Sequence, residues 1–111
     1  MSPENEKKFL DRWPKWFGPR FRFECGDGWL DLIWDLCERI EDLDTDADMT
    51  VAQVKEKFGG LRFYVLSATQ EAFDLIDDAE DESYLVCESC GSRDEVETSG
   101  SWLRTLCKKC I

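Results

Sequence analysis

Cys87-Glu-Ser-Cys90 and Cys107-Lys-Lys-Cys110 are two C-x-x-C pairs separated by sixteen residues, and no other feature limits the fold as tightly. Two residues between thiolates let one tight turn aim both sulfurs at the same ion, and the separation lies in the window of a four-thiolate zinc site. Gly91, just after the second cysteine, supplies the permissive backbone that such a knuckle needs. Between the pairs, residues 95–98 and 102–106 flank Ser99-Gly100 and predict a hairpin that carries the two knuckles toward each other. Only Ile111 follows Cys110, so the expectation is a two-knuckle ribbon rather than a treble clef with its closing helix. Redox disulfides and unrelated buried thiols are the competing readings, and two matched pairs argue against both.

The expected cofactor is one structural Zn²⁺ held by Cys87, Cys90, Cys107 and Cys110. Four cysteines fill the tetrahedron and leave no position open for a reacting water. The chain has no histidine, which removes triads with a histidine base and nearly all hydrolytic zinc sites. The expectation is therefore a protein that is not an enzyme. Cys25 and Cys37 have no partners for a second tetrahedral site and read as structural, Cys37 on the apolar side of a helix.

Charge is the second constraint. With 25 acidic and 14 basic residues the formal net charge is −11; four thiolates and one Zn²⁺ would make it −13, so the metal does not relieve the acidity. The charge is segregated. Residues 25–48 hold nine acidic and one basic residue, and residues 71–82 hold seven acidic and no basic ones, while the remainder is neutral or weakly basic.

Both acidic segments predict helices. After Gly26-Asp27-Gly28, the residues Trp29, Leu30, Leu32, Ile33, Leu36, Cys37, Ile40 and Leu43 recur at helical spacing, with Asp27 as the expected N-cap. The opposite face carries Asp31, Asp35, Glu38 and Asp42, and the run 44–48 continues the acidity into a loop. From Glu71 to about Ser83, Ala72, Leu75, Ile76 and Ala79 form an apolar face, and the other side reads as all carboxylate, including Asp74, Asp78, Glu80 and Asp81. Such faces serve solubility, or they resemble a row of phosphates that fits a basic groove on a partner.

Residues 51–66 admit two readings. Val54, Glu56 and Phe58 against Leu61, Phe63 and Val65 alternate around Gly59-Gly60, as a β-hairpin requires. Thr50 with Gln53 also resembles a capping box ahead of a helix. The hairpin is preferred, and it puts Lys55, Lys57 and Arg62 on one face. Residues 9–23 are basic and aromatic; Trp13, Trp16, Phe17, Phe21 and Phe23 are expected to cover the core, with base stacking as the alternative.

With 111 residues the chain is expected to form one compact unit of the α+β class. Two amphipathic helices and a small β-hairpin or sheet make a core over residues 1–84, and a zinc-ribbon-like module over 85–111 packs on it. The residues near Met1 have no apolar leader-like run and no window has the length of an apolar span, so the expectation is a protein of the host cell cytoplasm without membrane partners.

Trp-Pro-Lys-Trp-Phe at 13–17, Glu-Cys-Gly-Asp-Gly-Trp at 24–29, Gln-Val-Lys-Glu-Lys-Phe-Gly-Gly-Leu-Arg-Phe-Tyr at 53–64 and the two cysteine knuckles with Trp102-Leu-Arg-Thr-Leu106 together resemble a family of small uncharacterised proteins carried by phages and prophages. The resemblance spans almost the whole chain, and the acidic segment 71–82 departs from it. It implies a phage-encoded accessory protein with a C-terminal zinc-binding module, a class that often binds and redirects host transcription or defence factors. It implies no mechanism.

Three functions follow as expectations. The first is a non-catalytic, zinc-stabilised protein that binds a host or phage protein with a basic surface through Asp31, Asp35, Glu38 and Asp42 on one helix and Asp74, Asp78 and Asp81 on the other, as a nucleic-acid mimic or anti-defence inhibitor. The second is a nucleic-acid-binding zinc ribbon using Lys55, Lys57, Arg62, Arg104, Lys108 and Lys109, opposed by the long-range repulsion of the net charge. The third is a metal-dependent nuclease built on a carboxylate pair such as Asp27 with Asp31.

Overall fold

The computed structural model describes residues 1–43 and 48–111, so most of the acidic run 44–48 lies outside the described residues. The elements run α1 (Pro3–Arg12), β1 (Phe23–Glu24), a 3-10 turn (Asp27–Trp29), α2 (Leu30–Asp42), β2 (Thr50–Lys57), β3 (Gly60–Leu66), α3 (Gln70–Ser83), β4 (Val96–Ser99) and β5 (Arg104–Cys107). The class is α+β, with a three-stranded sheet ordered β1-β2-β3 and a separate β4-β5 ribbon.

Helix α1 is not among the elements expected from the sequence. Ser2 caps it, its Oγ accepting from the Asn5 amide, Pro3 opens it, and Glu4 and Glu6 suit its first turn. Its buried residues anchor the aromatic segment: Phe9 packs on Trp13, Phe17, Phe23 and Trp34 at ring separations of 4.7–6.1 Å. Trp13, Phe17 and Phe23 are buried, as core cover rather than stacking platforms, and Trp16 and Phe21 pack against them in part. The buried Glu6 carboxylate accepts from the Phe23 amide at 2.6 Å and from Arg22 Nε at 3.1 Å, which meets the cost of burying its charge. The Met1 amino group donates to the Phe23 and Cys25 carbonyls.

Helix α2 buries Leu32, Ile33, Leu36, Cys37 and Ile40, and the turn before it buries Trp29. Asp27 does not cap it. The helix enters through the 3-10 turn, and Asp27 Oδ1 accepts instead from the Ser2 amide at 2.8 Å and Asn5 Nδ2 at 3.1 Å. Asp27 therefore faces the N-terminus of α1, where its charge suits that helix dipole.

Residues 50–66 form the hairpin, with Val54 opposite Phe63 and Lys55 opposite Arg62. The turn sits one residue earlier than the Gly59-Gly60 expectation: Lys57 pairs with Gly60, and Phe58 and Gly59 occupy the two-residue turn at φ 54° and 86°. Both central residues at positive φ match the twist of the flanking strands. β1 lies parallel to β2, Phe23 beside Val54 and Glu24 beside Lys55. Val51, Val54, Leu61 and Phe63 join the helices in one core.

Helix α3 spans Gln70–Ser83 with Thr69 as its cap, and Ala72, Ile76 and Ala79 are buried. One expected feature is corrected: Glu80 is not on the solvated side. Its Oε2 accepts from the Phe63 amide at 2.9 Å, and Ser83 Oγ accepts from the Leu61 amide at 2.9 Å. Burial raises the Glu80 carboxyl above the ordinary range, against the Phe63 amide and Arg62, which act the other way.

Candidate metal centre

The first knuckle is built on Gly91. Its amide donates to the Cys87 carbonyl at 2.9 Å and its φ is 83°, a conformation that side chains resist. The Cys87 amide in turn donates to the Ser92 carbonyl at 2.8 Å, which closes the loop on itself. The second knuckle follows β5 directly, with the amides of Cys110 and Ile111 both donating to the Cys107 carbonyl.

The β4-β5 ribbon brings the knuckles together. Val96 pairs with Cys107 and Ser99 with Arg104. Trp102 and Leu103 lie in the connecting turn, whereas the sequence placed them in the second strand. The sulfurs of Cys87, Cys90, Cys107 and Cys110 all lie within 4.8 Å of one another, and Cys90 and Cys107 Sγ are 3.6 Å apart. A tetrahedron with metal–sulfur bonds of about 2.3 Å has edges of about 3.8 Å, so this spacing fits a shared ion. It is far from the roughly 2.05 Å of a disulfide.

The four thiols form a donor set suited to a cation. Burial pushes Cys87 up, but the amides of Cys107, Cys90 and Ser89 aim at its sulfur and bring it down to about 6. Cys110 is pushed up to about 12 by Cys107, Cys90 and Cys87. The Ser92 amide favours a thiolate at Cys90, yet Cys107 and Cys87 leave it raised. Four sulfurs this close cannot all carry charge by themselves, and a divalent ion removes that conflict. Among the described residues this is the group of three or more cysteines and carboxylates arranged to hold a metal.

The centre is tied to the core through residues 24–29. The Gly28 amide donates to the Glu88 carbonyl at 2.8 Å, the Gly26 amide to Glu88 Oε2 at 2.8 Å, and Trp29 Nε1 to the Val86 carbonyl at 2.9 Å. A Cβ on Gly28 would fall 2.1 Å from the Cys87 carbonyl oxygen, so glycine is required there. At the far end Thr105 Oγ1 donates to the Gly59 carbonyl and meets Thr98 Oγ1. Sequence reasoning missed this saddle; the two glycines around Asp27 are its only sequence signal.

The other candidate residues are placed as follows. Asp31, Asp35, Glu38 and Asp42 on α2, and Asp74, Asp78 and Asp81 on α3, are all exposed. Of these, Asp35 and Asp78 line one groove between the helices, with Glu82 and Arg39, over a floor of Leu32, Leu36, Leu75 and Ala79. Arg39 pairs with Asp35 at 2.9 Å and Arg93 with Glu82 at 3.3 Å. The structure does not gather the rest into that groove. Asp27, one member of the carboxylate pair that a metal-dependent nuclease would need, is committed to Ser2 and Asn5, whose hydrogen bonds hold it below the usual carboxylate range. Cys25 and Cys37 are buried; burial pushes Cys25 up to about 12 and Cys37 well above its ordinary value, which keeps both as unreactive thiols. Lys55, Lys57 and Arg62 share the outer face of the hairpin, Arg104 lies in β5, and Lys108 and Lys109 lie in the second knuckle. No helix is long and apolar enough to cross a membrane among the described residues. No family model, curated protein or solved structure matches the chain.

Proposed function

We propose that the protein is a non-catalytic interaction protein, held together by one structural zinc, that binds a basic surface on a host or phage protein in the host cytoplasm. The metal is assigned as zinc because four thiolates in a tetrahedron suit it, and the filled coordination sphere leaves no site for substrate. The observation that carries the binding role is the groove between α2 and α3, where Asp35, Asp78 and Glu82 from two separate acidic segments meet, with Arg39 as the one cation, over an apolar floor. Carboxylates around leucines fit a partner that offers lysine or arginine beside apolar side chains. Such a surface can occupy a nucleic-acid site on its partner, and the class that the phage resemblance suggests often binds host defence or transcription factors.

The test is capture from infected-cell lysate with wild type and with Asp35→Lys combined with Asp78→Lys. The expected result is loss of the captured partner at unchanged thermal stability, with the wild-type capture weakening as salt rises. Equal capture by both proteins would reduce the groove to a solvated surface.

A further inference from the structure

Val54, Leu61 and Phe63 turn one face of the β2-β3 hairpin into the core, and the other face carries the half-buried Lys55 and Arg62 and the exposed Tyr64. On it Lys55 stands directly opposite Arg62, and Lys57 lies two residues along the same strand. Like charges opposed across a ladder destabilise it; Tyr84 and the charge of Glu80 offset that at Arg62. Among the described residues neither lysine has an ion pair, although the exposed Glu24 stands beside Lys55 in the register. Lys57 Nζ sits 5.5 Å over the Phe58 ring, and Arg62 donates to its neighbour's carbonyl and lies against Tyr84, which covers Gly60. Tyr64, in the next position along this face, is exposed.

Two further aromatics extend the same surface. Thr105 fastens the tip of the ribbon to the hairpin turn, and a cleft of about 640 Å³ opens between them, lined by Glu56, Lys57, Phe58 and Trp102 with Ser101 and Leu103. Phe58 is 66% exposed and Trp102 80% exposed. Phe58 holds a positive φ in a turn position that asparagine or glycine would fill without strain. A strained backbone that displays an aromatic ring to solvent is a mark of a working surface rather than of packing.

We propose that this hairpin face and the adjoining cleft bind single-stranded nucleic acid. Lys55, Lys57 and Arg62 take phosphates, while Tyr64, Phe58 and Trp102 offer their rings to bases. Every base has a π-face, so such a surface is tolerant of sequence. A duplex hides those faces and meets the same three cations against a strongly negative protein, so it binds weakly. The surface is separate from the acidic groove, and the two can fail independently.

Fluorescence anisotropy of a labelled oligo-dT of about 12 nucleotides, titrated with zinc-loaded protein from about 50 mM salt upward, tests it. Three phosphate contacts predict a slope of log K against log salt of about −2, and Lys55→Gln should flatten it by about 0.7. Trp102→Ala and Phe58→Gly should each weaken binding about fivefold or more with no loss of melting temperature. Asp35→Lys with Asp78→Lys should leave this binding intact. The proposal is overturned by any of three results: no binding at about 100 µM protein, duplex bound as tightly as the single strand, or full affinity in both aromatic variants.

Discussion

Residues 1–84 bury Phe9, Trp29, Ile33, Val54 and Leu61 almost completely, drawing on three helices and a sheet, whereas residues 85–111 bury only Val86, Cys87, Glu88, Thr105 and Cys107. The ribbon's two strands of four residues each alternate between partly buried and exposed positions in β4, and β5 turns Thr105 and Cys107 inward. A two-stranded hairpin of that size buries too little apolar surface to hold its shape. Four sulfurs placed to hold an ion stand where the first region has aromatic rings. One short chain thus draws on two different sources of order, joined at Gly28 and at Gly59.

Removing the metal should separate the two regions most. The apparent zinc-binding free energy in small finger peptides, about 10–16 kcal/mol, is folding free energy for such a unit. Elemental analysis should find one zinc per chain, and chelation or Cys107→Ser should leave the β4 and β5 amides exchanging freely while those of α2 and β2 stay protected. A metal-free protein with a protected ribbon would erase the distinction.

An intermediate effect is expected at the joint. Gly28→Ala drives a methyl group into the Cys87 carbonyl and should cost about 1–3 kcal/mol, as overpacking does. The Trp29 indole N–H, bonded to Val86, should shift in the NMR spectrum, and the ribbon should melt ahead of the helices. A single coincident transition at the wild-type temperature would mean that the two regions are not joined there.

The smallest effect concerns Glu80, inside the first region. Its carboxyl is raised by burial, so the folded state holds that proton more readily than the unfolded state. The contribution to stability is then present below the ordinary glutamate value and is lost as pH rises through the raised one. Glu80→Gln keeps an acceptor for the Phe63 amide without the charge. Its melting temperature should therefore gain on wild type between about pH 4 and about pH 7. A constant difference across that range would show that the charge is not what matters at this position.

The features legible in the sequence were those set by local spacing. The cysteine pairs, the apolar positions of α2 and α3, and the alternation of β2 with β3 each follow from a period or a turn within a few residues. What escaped was set by contacts distant in the chain. Asp27 has every local mark of an N-cap, yet Ser2 and Asn5 claim its carboxylate. Glu80 reads as one more surface acid until the Phe63 amide is placed beside it. Helix α1 did carry local signals, Ser2-Pro3 with Glu4 and Glu6 followed by Phe9 and Trp13 at helical spacing. Pro14, Gly18 and Pro19 then break that period directly after the helix. The role of Gly28 needs a knuckle sixty residues away.

The hydrogen bonds at the two outer strands have a consequence for crowded solution. On β1 the Phe23 amide is spent on Glu6 and its carbonyl on the Met1 amine. On β3 the Leu61 and Phe63 amides are spent on Ser83 and Glu80, and the Leu61 carbonyl on Arg62. Where the edge groups are taken up in this way, at Phe23, Leu61 and Phe63, the sheet resists pairing with a strand from another molecule, the step that begins domain swapping and amyloid growth. To add one, α1 or α3 must first be prised away, which exposes Phe9 or Ile76 to water.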